Sequence, residues 1–138
     1  MYQATGWLVI RHPETEDELD QIRESVREVQ RLIDSYAWQA GTLDLRAVNG
    51  EYFLSLVANT NHRGQEALDV ADLLRSVASA APESYGLVYE WDDEAQSWPG
   101  GNAFKAIVLA NGEITERGDP FLSPTEAVIE PDYPDHGG

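Results

Sequence analysis

Apolar residues along this chain change their period several times, and each change marks an element. From Tyr2 to Arg11 the residues are β-formers that culminate in Trp7-Leu8-Val9-Ile10 and are bounded by Pro13, which predicts a strand. Leu19, Ile22, Val26, Val29, Ile33 and Tyr36 then recur at intervals of three and four, one apolar stripe of a helix of about twenty residues. Thr15-Glu16-Asp17-Glu18 just before it is a capping box: Thr15 caps and Glu18 reaches back. On the polar side Asp20/Arg23, Glu24/Arg27 and Glu28/Arg31 are acid-then-base pairs at i, i+3, a solvated helix face. Gly41 follows closely enough to serve as the stop.

Asn49-Gly50 is the clearest turn in the chain, a type I′ hairpin signal. Pairing outward from a two-residue loop sets Ala47 against Tyr52, Leu45 against Leu54 and Leu43 against Leu56, all on one face. The other face pairs Arg46 with Phe53 and Asp44 with Ser55. A slip of one residue would mix these faces, so the register is specified locally.

The polar stretch Asn59 to Gly64 leads into a second predicted helix from Gln65 to Ala81, with Ala67, Leu68, Ala71, Leu74, Val77 and Ala78 inward and Pro82 ending it. Thr60 or Asn61 is expected to cap it, with His62 exposed in its first turn. Short strands follow at Ser84 to Glu90 and Phe104 to Ala110; Asn111-Gly112 closes the latter, and a further short strand is expected near Ile114. From Asp119 to Gly138 there are four prolines and no periodicity, which predicts an extended, Pro-rich C-terminal segment, with Phe121, Leu122, Val128 and Ile129 packing on the body. The order β-α-β-β-α-β-β predicts an α+β fold: one mainly antiparallel sheet with two helices on one face. A ferredoxin-like winding with an added edge strand satisfies the right-handed crossover rule.

Composition sharpens this picture. A chain of 138 residues fits one domain, and 42% hydrophobic residues argue for a packed core. With no Cys there is no disulfide, thiolate metal site or Cys nucleophile. No apolar run approaches the roughly 20 residues that span a bilayer, and Met1 leads into Tyr-Gln-Ala-Thr rather than a basic leader. The expectation is a cytoplasmic protein with no membrane association. The 25 acids against 9 bases leave a net charge of −16, which opposes direct nucleic-acid binding. That charge exceeds the magnitude of about 2 to 8 that keeps a small domain dispersed, and self-repulsion weakens the fold. A strongly cationic partner accounts for it.

The acid concentrates between Glu83 and Gly101, where five carboxylates occur without a Lys or Arg. Its centre is Glu90-Trp91-Asp92-Asp93-Glu94, read as an acidic loop flanked by Trp91 and Trp98. Aromatic residues are enriched where interfaces form, so Glu90, Trp91, Asp92, Asp93, Glu94 and Trp98 are the expected partner contacts. As plain structure, the same run is a solvated hairpin tip. Trp7 and Trp38 are read as core or sheet anchors. The acidic run lacks the alternating ligands, Gly and distal Glu of a Ca²⁺ loop. The chain has no Gly-rich phosphate loop, G-x-S-x-G or H-E-x-x-H. Neither a metal, a cofactor nor a catalytic residue is therefore expected, nor an enzyme. The alternative is a small-ligand or acid–base enzyme using Asp44, Arg46 and His62, and a further one is a nucleic-acid-mimicking regulator.

Five collinear blocks carry a resemblance. Gly6-Trp7-Leu8-Val9-Ile10-Arg11, the stretch from Gly41 to Gly50, Asn59 to Glu66, Ser84 to Tyr89 and Asp119 to Pro124 together resemble the family 7 immunity proteins of bacterial polymorphic toxin systems. The resemblance runs from Gly6 to about Ile129. It implies a small cytoplasmic α+β protein that protects its cell by binding a cognate toxin. Together with the charge, it points to a nuclease-type or other cationic toxin domain. On this reading residues 1–130 are a single immunity-type domain and residues 131–138 a flexible tail.

Overall fold

The computed structural model describes residues 1–12, 18–61, 64–92 and 104–119. The expected C-terminal segment, the tail and the division of the chain at residue 130 therefore lie outside the described residues. The elements run β1 (Tyr2–Ile10), α1 (Glu18–Ser35), β2 (Gly41–Val48), β3 (Glu51–Thr60), α2 (Gln65–Ala80), β4 (Tyr85–Asp92), β5 (Lys105–Ala110) and β6 (Glu113–Gly118). The strands form one six-stranded sheet in the order β2-β3-β1-β4-β5-β6, antiparallel at every pairing. Its first four members have the expected ferredoxin-like winding, and the β5–β6 hairpin extends it beyond β4.

The Asn49-Gly50 hairpin has the register set by its polarity: Leu43 faces Leu56, Leu45 faces Leu54 and Ala47 faces Tyr52. Asn49 and Gly50 both take positive φ, 50° and 81°, as a type I′ turn requires. Asn111 and Gly112 repeat this at 54° and 72°, which turns the chain into β6.

Side chains alternate across the sheet. Tyr2, Ala4, Leu8 and Ile10 of β1, Leu54, Leu56 and Ala58 of β3, Val88 of β4 and Ile107 and Leu109 of β5 share one core with Val29 and Ile33 of α1 and Val70, Leu73, Leu74 and Val77 of α2. The two helices touch each other and both touch β1, so they form one layer over that face. The opposite face carries Trp7, Val57 and Tyr85, all exposed.

Several local expectations are corrected. β4 does not stop at Glu90 but runs through Asp92, because Tyr2 and Gln3 of β1 supply partners for Asp92 and Trp91. In α2 the buried set is Ala67, Asp69, Val70, Leu73, Leu74 and Val77, whereas Leu68 is exposed. The helix is rotated because the Asp69 carboxylate accepts from Trp38 Nε1 at 3.0 Å and Gln65 Nε2 at 2.9 Å, bonds that draw this acid inward. Gly64 occupies the N-cap of α2 without a side-chain bond, and Thr60 instead closes β3 opposite Tyr2. Gly41 opens β2 rather than stopping α1. None of the acid–base pairs on α1 closes as an ion pair among the described residues; Arg31 Nε turns to the Arg27 carbonyl at 3.4 Å. Solvated side chains gain too little from pairing to offset the entropy of holding them. Thr15 of the capping box and His62 lie outside the described residues.

Candidate partner interface

Because β4 continues through Asp92, its residues divide by parity. Val88, Glu90 and Asp92 lie on the helix side, and Tyr85, Leu87, Tyr89 and Trp91 on the open side. Of the six predicted contacts, Glu90, Trp91 and Asp92 are within the described residues, and all three are buried, at 3%, 9% and 1% exposure. Asp93, Glu94 and Trp98 lie outside them.

Glu90 is held by a network. Tyr2 Oη donates to its Oε2, and Lys105, the cross-strand partner of Glu90 on β5, brings Nζ to 3.7 Å from Oε1. The same ammonium lies 3.4 Å from Glu116 Oε1 on β6. A buried carboxylate needs such neutralisation, since a charge removed from water without a partner is very costly. Lys105 was missed in the sequence, although a signal was there: it is the only lysine of the chain and sits in an apolar strand. Trp91 leaves a loose end on the other side, for its buried Nε1 has no hydrogen-bond partner among the described residues.

Two other polar clusters hold the fold. Behind α1, Tyr36 Oη donates to Asp72 Oδ2 at 2.7 Å, which with the Trp38–Asp69 bond ties the chain after α1 to α2. Burial, followed by that bond and the charges of Asp72 and Asp69, pushes the Tyr36 phenol well above its usual range. A group whose folded pKa is raised adds stability below its unfolded value, about 10 for Tyr, and the contribution is lost as pH rises further. Tyr36→Phe is therefore expected to flatten the alkaline fall in stability between about pH 10 and 12. Denaturant midpoints measured across that range check this, and a variant as alkali-sensitive as the parent would refute it.

His12 Nε2 meets Ser25 Oγ, a pairing that resembles a nucleophile with its base. Ser25 Oγ, however, donates its only proton to the Ala80 carbonyl at 3.0 Å. The imidazole must then donate to Ser25, the reverse of the polarity that activates a hydroxyl. The contact fastens α1 to the end of α2. Asp44 and Arg46, members of the alternative enzyme site, form a 2.6 Å ion pair on β2 and are exposed; His62 lies outside the described residues. Among the described residues no three acidic or imidazole groups gather closely enough to hold a metal ion, and no helix is long and apolar enough to cross a membrane.

On the open face Trp7 packs edge-on against Tyr85 with centroids 6.1 Å apart. Arg11 lies over the Tyr85 ring at 5.0 Å and forks to Glu51, its Nη2 2.5 Å from Oε1. Tyr89 and Phe104 make a second edge-on pair at 5.8 Å. This surface was also missed, yet the odd parity of Trp7 among inward-facing even positions of β1 announced it.

Against known families, the model described as immunity protein 7 matches residues 1–131. The chain belongs to the immunity protein 7 family. No curated protein and no solved structure matches it. Membership gives this chain an immunity role, and with it a cognate toxin as partner. For an immunity protein 7 chain the relevant geometry is then a surface able to hold another protein, and the end of β4 and the open sheet face are the two candidates.

Proposed function

We propose that this protein neutralises its toxin by direct stoichiometric binding in the cytoplasm, without catalysis, and that the toxin surface it meets is cationic, as in nuclease-type domains. The observation that carries this reading is the net charge of −16 in a member of an immunity family. Such an excess destabilises the free fold by self-repulsion. Against a cationic cleft the same excess raises the association rate and disfavours wrong partners.

We place the contact where β4 runs into the acidic stretch. Asp93, Glu94 and Trp98 are the contacting groups, and Trp91 is the aromatic anchor behind them. Glu90 and Asp92, being buried, hold the strand end in place. The test is co-expression with the cognate toxin domain. A 1:1 complex on co-purification and restored growth are expected. Toxicity undiminished at full expression, or a substrate consumed by the isolated protein, would sink the proposal.

A further inference from the structure

We infer that the open face of the sheet, centred on Trp7 and Tyr85, is a second part of the toxin-binding surface, one that meets an uncharged, apolar patch of the toxin; this rests on the binding role proposed above. Trp7 is 41% and Val57 46% exposed, and Tyr85 is exposed beside them. Leu87 and Tyr89, both half-buried, extend this side of β4 toward the buried Trp91. Trp, Tyr and Arg are the residues that dominate interface energies, and Trp7, Tyr85 and Arg11 stand here in contact. Arg11 is already forked to Glu51, which holds the cation over the ring and fixes the shape of the patch before any partner arrives. An aromatic surface ordered in advance loses less entropy on binding.

Charge selects the occupant. Among the described residues this face carries Asp44, Glu51, Glu113 and, opposite Phe104 just past β6, Asp119 against Arg11, Arg46 and Arg117, a surplus of one acid, so it is nearly neutral in a chain of net charge −16. Attraction of a cationic toxin must therefore come from elsewhere on the molecule, and this face contributes apolar contact after encounter. A second copy of the chain is disfavoured, because docking it would bring two strongly anionic bodies together.

The division of labour gives distinct kinetic signatures. In surface-binding measurements with an inactivated cognate toxin domain, Trp7→Ser/Tyr85→Ser is expected to raise the dissociation rate by about 100-fold and change the association rate less than about threefold. Val57→Arg, which adds bulk at an exposed site, should act in the same direction and guards against a folding artefact; thermal melts verify that each variant is folded. If the parent binds and both variants dissociate as slowly as it does, the inference is wrong while the binding role stands. If the parent protein does not bind at all, the proposed function fails and takes this inference with it. A parent dimer that Trp7→Ser splits would assign the face to self-association and also overturn it.

Discussion

Lys105→Met is expected to lower the stability of the free protein by about 3 kcal/mol, roughly a 150-fold change in the folding equilibrium. The substitution keeps the apolar stem but removes the cation 3.7 Å from Glu90, and Glu90 is almost fully buried. Its carboxylate would keep the Tyr2 hydroxyl, which is why the expected loss stands at the lower end for a broken buried pair. Glu90→Gln added to Lys105→Met should restore most of the stability, since the neutral amide still accepts from Tyr2 and no stranded charge remains. Chemical denaturation of the four proteins in this cycle measures the coupling. A single variant within about 0.5 kcal/mol of the parent would show that water reaches this carboxylate and that the network is not what holds the strand end.

Asp93→Lys/Glu94→Lys is expected to slow association with the cognate toxin about 100-fold at low ionic strength, with a much smaller change in dissociation. The double reversal changes the local charge by four units in a stretch that holds five carboxylates and no base. Screening makes the effect diagnostic. Exposed charges interact over about 30 Å at 10 mM salt but only about 8 Å at 0.15 M, so the gap between parent and variant should narrow steeply with added salt. Equal association rates at low salt would mean that charge in this stretch does not recruit the partner. The buried Glu90 and Asp92 are unsuitable for this test, because reversing them would perturb the fold before the partner is met.

Where an element obeys a local rule, it was legible in the chain. The Asn49-Gly50 hairpin carries its turn chemistry and polarity within a few residues, and its register came out residue for residue. The α1 stripe, with Val29 and Ile33 in the core, follows from a single period. The phase of α2 was not legible, because Leu68 and Asp69 exchange their expected places through bonds from Trp38 and Gln65, and the Trp38 bond joins residues 31 apart. The extent of β4 was misjudged for a similar reason. A run such as Glu90-Trp91-Asp92 reads as a loop unless the other strands that receive it are known.

The candidate site was legible in kind but not in depth. The acidic run and its aromatic neighbours stood out at once, and the family matched over residues 1–131 agrees with the resemblance carried by the five blocks. What no local pattern contained was the sorting of that run by parity, with Glu90 and Asp92 turned under the helices and Trp91 toward the open face.

By itself, then, the order of residues determined the succession of elements, the type I′ turn at Asn49-Gly50, the anionic character and the family, since each depends on neighbours in sequence or on composition alone. Tertiary structure alone decided that Glu90 is an internal charge matched to the chain's single lysine, and that Trp7 and Tyr85 stand together, exposed, on the side of the sheet opposite the helices. The physical reason is that burial and electrostatic pairing depend on distance in space. The partners that settle these residues lie 15 to 88 positions away along the chain.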